Sequence, residues 1–180
     1  MYREVVVPKL REEFSIKNAN QVPTLSKALV NSGVGRFLEN QKLKPEIRDT
    51  VIDTLTTITG QKPIMVLAKR SVANFKVREG APSAFVVTLR GVRMWHFIDR
   101  LLNLAMPRIK DFRGMKDTSF DQLGNYSMGL TEQAVWPEIN MARVSFTHGM
   151  NINICFEQSN LEMSRFILRE LGMPFVRKED

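Results

Sequence analysis

The feature that most constrains the fold is an alternating run near the middle of the chain, Ser83 to Arg90. Successive side chains of a β-strand point to opposite faces, so this run predicts a strand with one apolar side and one mixed side. The two sides are Phe85, Val87 and Leu89 on the first, and Val86, Thr88 and Arg90 on the second. A fold that contains this strand must cover the first side and can leave the second side open.

A long basic loop precedes this strand and joins it to a shorter apolar run, Ile64 to Leu67, which predicts a second strand. Hairpin loops usually have about 2–5 residues, so the extra length indicates a function, and the charge suits a phosphate backbone. The stretch that holds the two strands and the loop contains seven cations and a single acid, Glu79. The cations are Lys62, Lys69, Arg70, Lys76, Arg78, Arg90 and Arg93. Phe75 in the loop is compatible with an anchor in the core or with a contact to a partner.

The charge balance favours a polyanionic partner. The chain has 180 residues, a formal net charge of +7 and one cysteine, and a basic balance is typical of proteins that bind nucleic acid or an acidic membrane surface. A soluble protein that is merely basic is the alternative. We expect one domain over residues 1–180, located in the cytoplasm. We expect no membrane span, because no apolar run approaches the ~18–20 residues that such a span needs.

The rest of the chain alternates further strands with helices. The pattern predicts helices over Tyr2–Phe14, from Pro45 to Gly60, over Val92–Ala105 and from a capping box at Ser159 and Glu162 to Leu171; it predicts strands over Leu25–Ser32, Tyr126–Leu130 and Met150–Phe156. Residues 107–125 have no clear period and form a long loop, which in a compact domain is usually functional. This order predicts an α+β fold, a two-layer sandwich of a mostly antiparallel sheet with helices packed on one face.

The two faces of this sheet differ in chemistry. The face under the helices would carry Ala28, Val30, Phe85, Val87, Leu89, Ile152 and Ile154, and the opposite face would carry Lys27, Asn31, Thr88, Arg90, Asn151 and Asn153. Amides, hydroxyls and cations without an apolar cover can hydrogen-bond to phosphates, ribose hydroxyls and base edges. The alternative is a plain solvated face, which antiparallel sheets commonly have.

No pattern in the chain predicts a catalytic, cofactor or metal site. His96 and His148 lack a second ligand at the usual spacing, Cys155 lacks a histidine partner, and the aspartates of the 107–125 loop lie among cations that explain them by ion pairing. An enzyme acting on RNA would need a clustered acid–base or metal site. A free-standing RNA chaperone of loose specificity is a further alternative.

Several short blocks carry a resemblance to a known family. They are Ile58-Thr-Gly-Gln-Lys-Pro63, Thr88-Leu-Arg-Gly91, Met106-Pro-Arg-Ile-Lys-Asp-Phe-Arg-Gly114, Gly124-Asn-Tyr126, Glu132-Gln-Ala-Val-Trp-Pro-Glu-Ile139 and Leu171-Gly-Met-Pro-Phe175. In these blocks and their order the chain resembles the bacterial-type large-subunit ribosomal protein family called uL-five.

The resemblance implies a non-enzymatic protein of the ribosome's central protuberance that binds 5S rRNA. The residues it implies for that contact, together with their cationic neighbours, are Lys27, Asn31, Gln61, Lys62, Thr88 and Arg90. It implies that the basic loop faces the P-site tRNA through Lys69, Arg70, Ser71, Asn74, Lys76 and Arg78. It implies an inter-subunit bridge to protein thirteen of the small-subunit head near Arg108, Lys110, Arg113 and Lys116. Large-subunit rRNA and neighbouring central-protuberance proteins are the other partners it implies.

Overall fold

The fold is that of a computed structural model, which describes residues 2–140, 142, 144 and 146–176. Within these ranges the α-helices are α1 (Val7–Glu13), α2 (Pro45–Thr59), α3 (Gly91–Arg100) and α4 (Leu161–Glu170), and the strands are β1 (Thr24–Gly33), β2 (Leu38–Glu39), β3 (Lys42–Leu43), β4 (Ile64–Leu67), β5 (Pro82–Leu89), β6 (Tyr126–Leu130) and β7 (Met150–Glu157). Short π-helical turns, Tyr2–Val6 and Leu101–Ala105, precede α1 and follow α3. The predicted helices and strands are confirmed to within a few residues at their ends.

The main sheet has five strands in the order β4-β5-β1-β7-β6, and every neighbouring pair is antiparallel. Strand β1 lies in the centre, between β5 and β7. β2 and β3 form a separate two-stranded hairpin. The predicted α+β sandwich with an antiparallel sheet is therefore confirmed.

The helices cover one face of this sheet, and the core lies between the two layers. The predicted inward residues Ala28, Val30, Phe85, Val87, Leu89, Ile152 and Ile154 are all buried. Helix α2 contacts β5 and helix α3 contacts β1, while α1 packs on α4. Trp136 also enters the core, where its ring stacks on Phe97 with centroids 5.3 Å apart. Burial of these side chains is the main free-energy gain of the fold.

Helix α2 shows why the local sequence specifies its two ends. Pro45 lies in the first turn, where its missing N–H costs nothing, and Gly60 ends the helix in the left-handed region with φ 68°. Thr50, Thr56 and Thr59 each donate a hydroxyl hydrogen bond to the carbonyl four residues earlier. These bonds satisfy hydroxyl groups that would otherwise compete with the helix.

The predicted start of the last helix is wrong by one residue. Asn160, not Ser159, is the N-cap of α4, and its side-chain oxygen accepts from the Met163 amide at 2.8 Å. The Ser159 hydroxyl instead lies 2.7 Å from that of Ser164, which is buried. Serine and asparagine are both strong cap residues, so their order along the chain could not decide between them.

Candidate nucleic-acid interface

The open face of the sheet consists of two well-defined rows of side chains. One row runs across four strands through Val86, Asn31, Asn151 and Gly129, because each is the cross-strand partner of the next. The second row runs in the same order through Thr88, Leu29, Asn153 and Ser127. Cross-strand partners lie about 4.5–5.5 Å apart, so each row is a continuous surface.

This face also carries apolar side chains. Leu29 and Val86 occupy places in the rows, and Ile64, which pairs with Val86, is 71% exposed at the same edge. The face is therefore mixed, as the alternation of Val86 with Thr88 and Arg90 predicts, and Leu29 and Ile64 add to its apolar part. Strand β5 is half-buried at Val86 because only its helix-side residues had to be apolar, and the open side tolerates either kind.

Gln61 lies at the edge of the sheet, beside the end of β5. It follows the left-handed residue Gly60, and its side-chain Nε2 donates to the carbonyl oxygen of Thr88 at 3.3 Å. The glutamine and the threonine thus present neighbouring polar groups at the end of β5. Alternation in the sequence could not detect Gln61, because it lies in the turn after α2 and not on a strand.

The side-chain oxygen of Asn31 is buried and has no hydrogen-bond partner among the described residues. The same asparagine lines a shallow recess of about 390 Å³ together with Arg36, Thr131 and Asn151. A buried polar atom without a partner costs free energy, on the order of 1–3 kcal/mol.

The cations lie at the margins of this face. Arg90 continues the extended backbone of β5 by one residue, with φ −138° and ψ 162°, so it is on the same side as Thr88 and is exposed. Lys27 pairs with Cys155 across β1 and β7. Burial raises the pKa of the Cys155 thiol, and Lys27 only partly opposes this shift, so the thiol stays protonated and unreactive at neutral pH. Lys62 is exposed beyond Gln61.

The basic loop between β4 and β5 is folded against the β2–β3 hairpin. Val72 and Val77 form an antiparallel bridge within the loop, and Lys76 adopts a left-handed conformation at its tip. The side chain of Gln41 makes two bonds to the loop backbone: it donates to the Lys76 carbonyl, and it accepts from the Arg78 amide at 2.9 Å. Sequence reasoning missed Gln41, because its partner lies more than thirty residues away.

The residues of this loop that are predicted to face tRNA are all exposed to solvent. Lys69, Arg70, Ser71, Asn74, Lys76 and Arg78 are exposed. Phe75 is 78% exposed, so of the two roles predicted for it the core anchor is wrong. The loop therefore presents charge and one aromatic ring together.

The long segment over residues 107–125 lies at the opposite edge of the sheet, beside β6. The Ser127 amide donates to the Ser119 carbonyl at 3.1 Å, and the Met115 amide donates to the Pro174 carbonyl at 2.7 Å. These bonds hold the segment between β6 and the tail after α4. Its cations Arg108, Lys110, Arg113 and Lys116 are exposed.

The two histidines lie in different surroundings. His96 is exposed on α3, and His148 is fully buried with its Nδ1 2.9 Å from the Ser32 hydroxyl. Within the described ranges no three His, Cys, Asp or Glu side chains come together as a metal-binding group.

Two family models match the chain over the segments that build this interface. The model described as "Ribosomal protein L5" matches residues 18–78, and the model of the C-terminal part of the same ribosomal protein family matches residues 82–175. The chain belongs to the uL5 family of ribosomal proteins. The boundary between the two matched segments falls in the β4–β5 hairpin, and the five-stranded sheet takes β1 and β4 from the first segment and β5, β6 and β7 from the second.

Relatives in the uL5 family are similar over nearly their whole length. The large ribosomal subunit protein uL5 of Synechocystis sp. is 46% identical over 97% of this chain and 95% of its own length. The uL5 protein of Streptomyces coelicolor is 50% identical over 97% of this chain and 92% of its own length. That of Corynebacterium diphtheriae is 47% identical over 99% and 93%, respectively.

Membership in the uL5 family makes this chain a structural protein of the large ribosomal subunit and not an enzyme. A role in the ribosome agrees with the net charge of +7, because ribosomal RNA is a polyanion. None of the helices in the described part of the chain is both long and apolar enough to cross a bilayer.

Proposed function

We propose that this uL5-family chain binds 5S rRNA through the open face of its sheet and helps to attach that RNA in the central protuberance of the cytoplasmic ribosome. Asn31, Thr88 and Arg90 share this face, with Gln61 bonded to Thr88 beside them. The observation that carries the proposal is the strand register, since it brings Asn31 and Thr88 from separate strands into adjacent rows of the face that is turned away from the helices. Lys27 and Lys62 add positive charge at the margins.

The geometry favours folded RNA over unpaired bases. The rows on the open face offer three asparagine amides and the hydroxyls of Thr88 and Ser127, with cations at their margins, and among their members there is no aromatic ring on which a base could stack. Recognition then depends on the phosphate backbone and ribose hydroxyls, which is typical for double-stranded RNA.

The substitutions Asn31→Ala and Arg90→Ala test the RNA site. We expect each to weaken 5S rRNA binding by about 1–3 kcal/mol, or roughly five- to 150-fold, in a filter-binding assay. The matched controls Asn20→Ala and Arg169→Ala change exposed residues outside the open face and should leave the affinity unchanged. Unchanged affinity in the Asn31 and Arg90 variants would refute the assignment, and equal competition by bulk rRNA would indicate an RNA chaperone instead.

The proposal extends to the P-site tRNA, which the basic loop would contact through Lys69, Arg70, Ser71, Asn74, Lys76 and Arg78. The loop supports this role because it is exposed and cationic yet fixed by Gln41. We expect the double change Lys69→Ala with Arg78→Ala to weaken tRNA binding to the ribosomal P site while 5S rRNA affinity is kept. Equal loss of both activities would mean that the loop and the open face are one binding surface.

At the other edge of the sheet, Arg108, Lys110, Arg113 and Lys116 support a bridge to protein thirteen of the small-subunit head. Their position beside β6 leaves the open face free for 5S rRNA, for large-subunit rRNA and for neighbouring proteins of the central protuberance. We also propose that residues 1–180 act as one domain, since both matched segments contribute strands to the same sheet.

A further inference from the structure

Exposed apolar side chains are concentrated on β4 and the loop that follows it. Twelve large hydrophobic residues are exposed in the described part of the chain, and half of them fall between Ile64 and Phe75. Ile64, Met65, Val66 and Leu67, which are the whole of β4, are 71%, 43%, 39% and 46% exposed. Because neighbouring side chains of a strand point to opposite sides, β4 is uncovered on both faces.

Strand β4 is also an open edge. It is the first strand in the sheet order and pairs only with β5 among the described strands. An edge strand presents a row of outward N–H and C=O groups that can pair with another chain, and proteins usually protect such edges with charges, bulges or a cover. The four residues of β4 carry no charge, and its register with β5 is regular from Ile64 to Val66 and shifts only before Leu67. An exposed edge that is apolar on both faces is thus suited to an added strand.

The chemistry of this edge favours a polypeptide over RNA. The aliphatic side chains of β4 have no hydrogen-bonding groups and no flat ring on which a base could stack, whereas a β-strand would satisfy the outward backbone groups and cover aliphatic surface on both faces. The cations of the neighbourhood flank the strand and do not lie within it: Lys62 precedes it, and Lys69 and Arg70 follow it.

Charge also argues against a second copy of the chain. In an antiparallel pair of two β4 strands, with Met65 opposite Val66, Lys62 of each copy would lie opposite Lys69 of the other. Like charges directly opposite one another are destabilising. A segment with acidic residues at both ends would instead meet complementary charges at both ends of β4.

We propose that the outer edge of β4 binds an extended apolar segment with acidic flanks from another protein of the large subunit, which adds to the sheet as a sixth strand. The Met65 side of β4 is distinct from the open-face rows that we assign to 5S rRNA, whereas Ile64 pairs with Val86 and extends the first of those rows. Met65 pairs with the buried Phe85, so its side chain is on the helix side of the sheet, away from those rows.

A photocrosslinking experiment on purified large subunits tests the proposal. The photoreactive residue p-benzoylphenylalanine replaces Met65 in the full chain, and the subunits are irradiated and then treated with nuclease or protease. We expect a crosslink to one large-subunit protein that survives nuclease and is lost with protease. Mass spectrometry should place it in an apolar segment flanked by Asp or Glu. A crosslink to RNA, a crosslink to a second copy of this chain, or no crosslink would each overturn the proposal.

A matched pair of substitutions tests the role of the apolar edge itself. Leu67 and Leu104 are equally exposed, at 46% and 47%, but only Leu67 lies on β4. We expect Leu67→Gln to lower the crosslink yield several-fold and Leu104→Gln to leave it unchanged. Equal effects, or none, would contradict the proposal.

Backbone protection gives an independent readout. Hydrogen exchange of the outward amides of β4 should be slower in the subunit than in the free protein by about tenfold, which corresponds to one added hydrogen bond at the upper end of its usual strength. Unchanged exchange would exclude strand addition. The 5S rRNA affinity of Leu67→Gln should equal that of the unmodified chain, so failure of this proposal is distinguishable from failure of the RNA site.

Discussion

A buried polar cluster shows how single residues hold the end of the sheet. The Ser32 hydroxyl donates to the Gly149 carbonyl at 2.9 Å and therefore accepts from Nδ1 of His148. The Gln133 side chain accepts from the His148 amide at 2.7 Å and donates to the Phe146 carbonyl at 2.8 Å. These bonds fix the chain on both sides of the turn into β7. Nε2 of the histidine is buried without a partner among the described residues, so the neutral ring is the form that fits.

The stability of the protein should depend on pH through His148. Burial lowers the pKa of this histidine below its ordinary value of 6.5, and Arg36 nearby acts in the same direction. The unfolded chain therefore binds a proton that the folded chain does not. As the pH falls below about 6.5, the free energy of unfolding should decrease by up to about 1.4 kcal/mol per pH unit, until the pH reaches the lowered pKa of the folded state.

Urea denaturation of the unmodified chain and of His148→Asn, at pH 7.5 and at pH 5.5, measures this effect. The variant lacks the titrating ring, so its loss of stability between the two pH values should be smaller. The control is His96→Gln, which changes the exposed histidine and should keep the loss seen in the unmodified chain. Identical losses in all three proteins would contradict the prediction.

At the scale of elements, regular strands and helices hold irregular segments that carry charge. The basic loop has only a short antiparallel bridge, Val72 with Val77, and its remaining support comes from Gln41 at the turn of the β2–β3 hairpin. Asn40 and Gln41 both have positive φ, at 47° and 65°, which matches the tight two-residue turn between two short strands. The β2–β3 hairpin therefore supports the basic loop through Gln41 and adds no strand to the main sheet.

The substitution Gln41→Ala should loosen the loop without unfolding the protein. It removes the acceptor of the Arg78 amide, and a hydrogen bond of this kind contributes about 0.5–1.5 kcal/mol. Hydrogen exchange of the Arg78 amide should accelerate by roughly two- to tenfold. The Ala68 amide, which donates to the Ala81 carbonyl at 2.8 Å, is the internal reference and should not change. An unchanged rate at Arg78 would show that Gln41 does not support the loop.

For the whole molecule, the central feature is the separation of its surfaces. The open face looks away from the helices, the β4 edge and basic loop lie on one side of the sheet, and residues 107–125 lie on the other. A rigid antiparallel sheet keeps these surfaces apart, so one partner can bind each without displacing the others. This arrangement fits a protein that joins several components of a large assembly.

The salt dependence of 5S rRNA binding should separate charged from neutral contacts. The logarithm of the affinity should fall with the logarithm of salt concentration by about 0.7–0.9 for each phosphate neutralised. Arg90→Ala should reduce this slope by roughly one phosphate equivalent, whereas Asn31→Ala should lower the affinity and leave the slope unchanged. Equal slopes for Arg90→Ala and the unmodified chain would mean that Arg90 does not contact a phosphate.

The sequence by itself determined the helices and the five strands of the main sheet, and which side of β1, β5 and β7 is buried, but it did not predict the short strands β2 and β3. Apolar side chains at period two or at helical spacing are stable only against a core, so Phe85, Val87 and Leu89 could be assigned before the neighbours of β5 were known. The long basic loop could also be predicted from the sequence, because its length and charge are local properties. The family blocks then connected this fold to a ribosomal role.

Only the tertiary structure decided which distant residues become neighbours. The row from Val86 to Gly129, the bond from Gln61 to Thr88 and the support from Gln41 to the basic loop all join residues far apart in the chain. The exposure of β4 could not be predicted from the sequence either, because an apolar run has the same pattern whether or not a helix covers it. Pairing and covering are set by the packing of the complete sheet against the helices, and no local window of sequence contains that information.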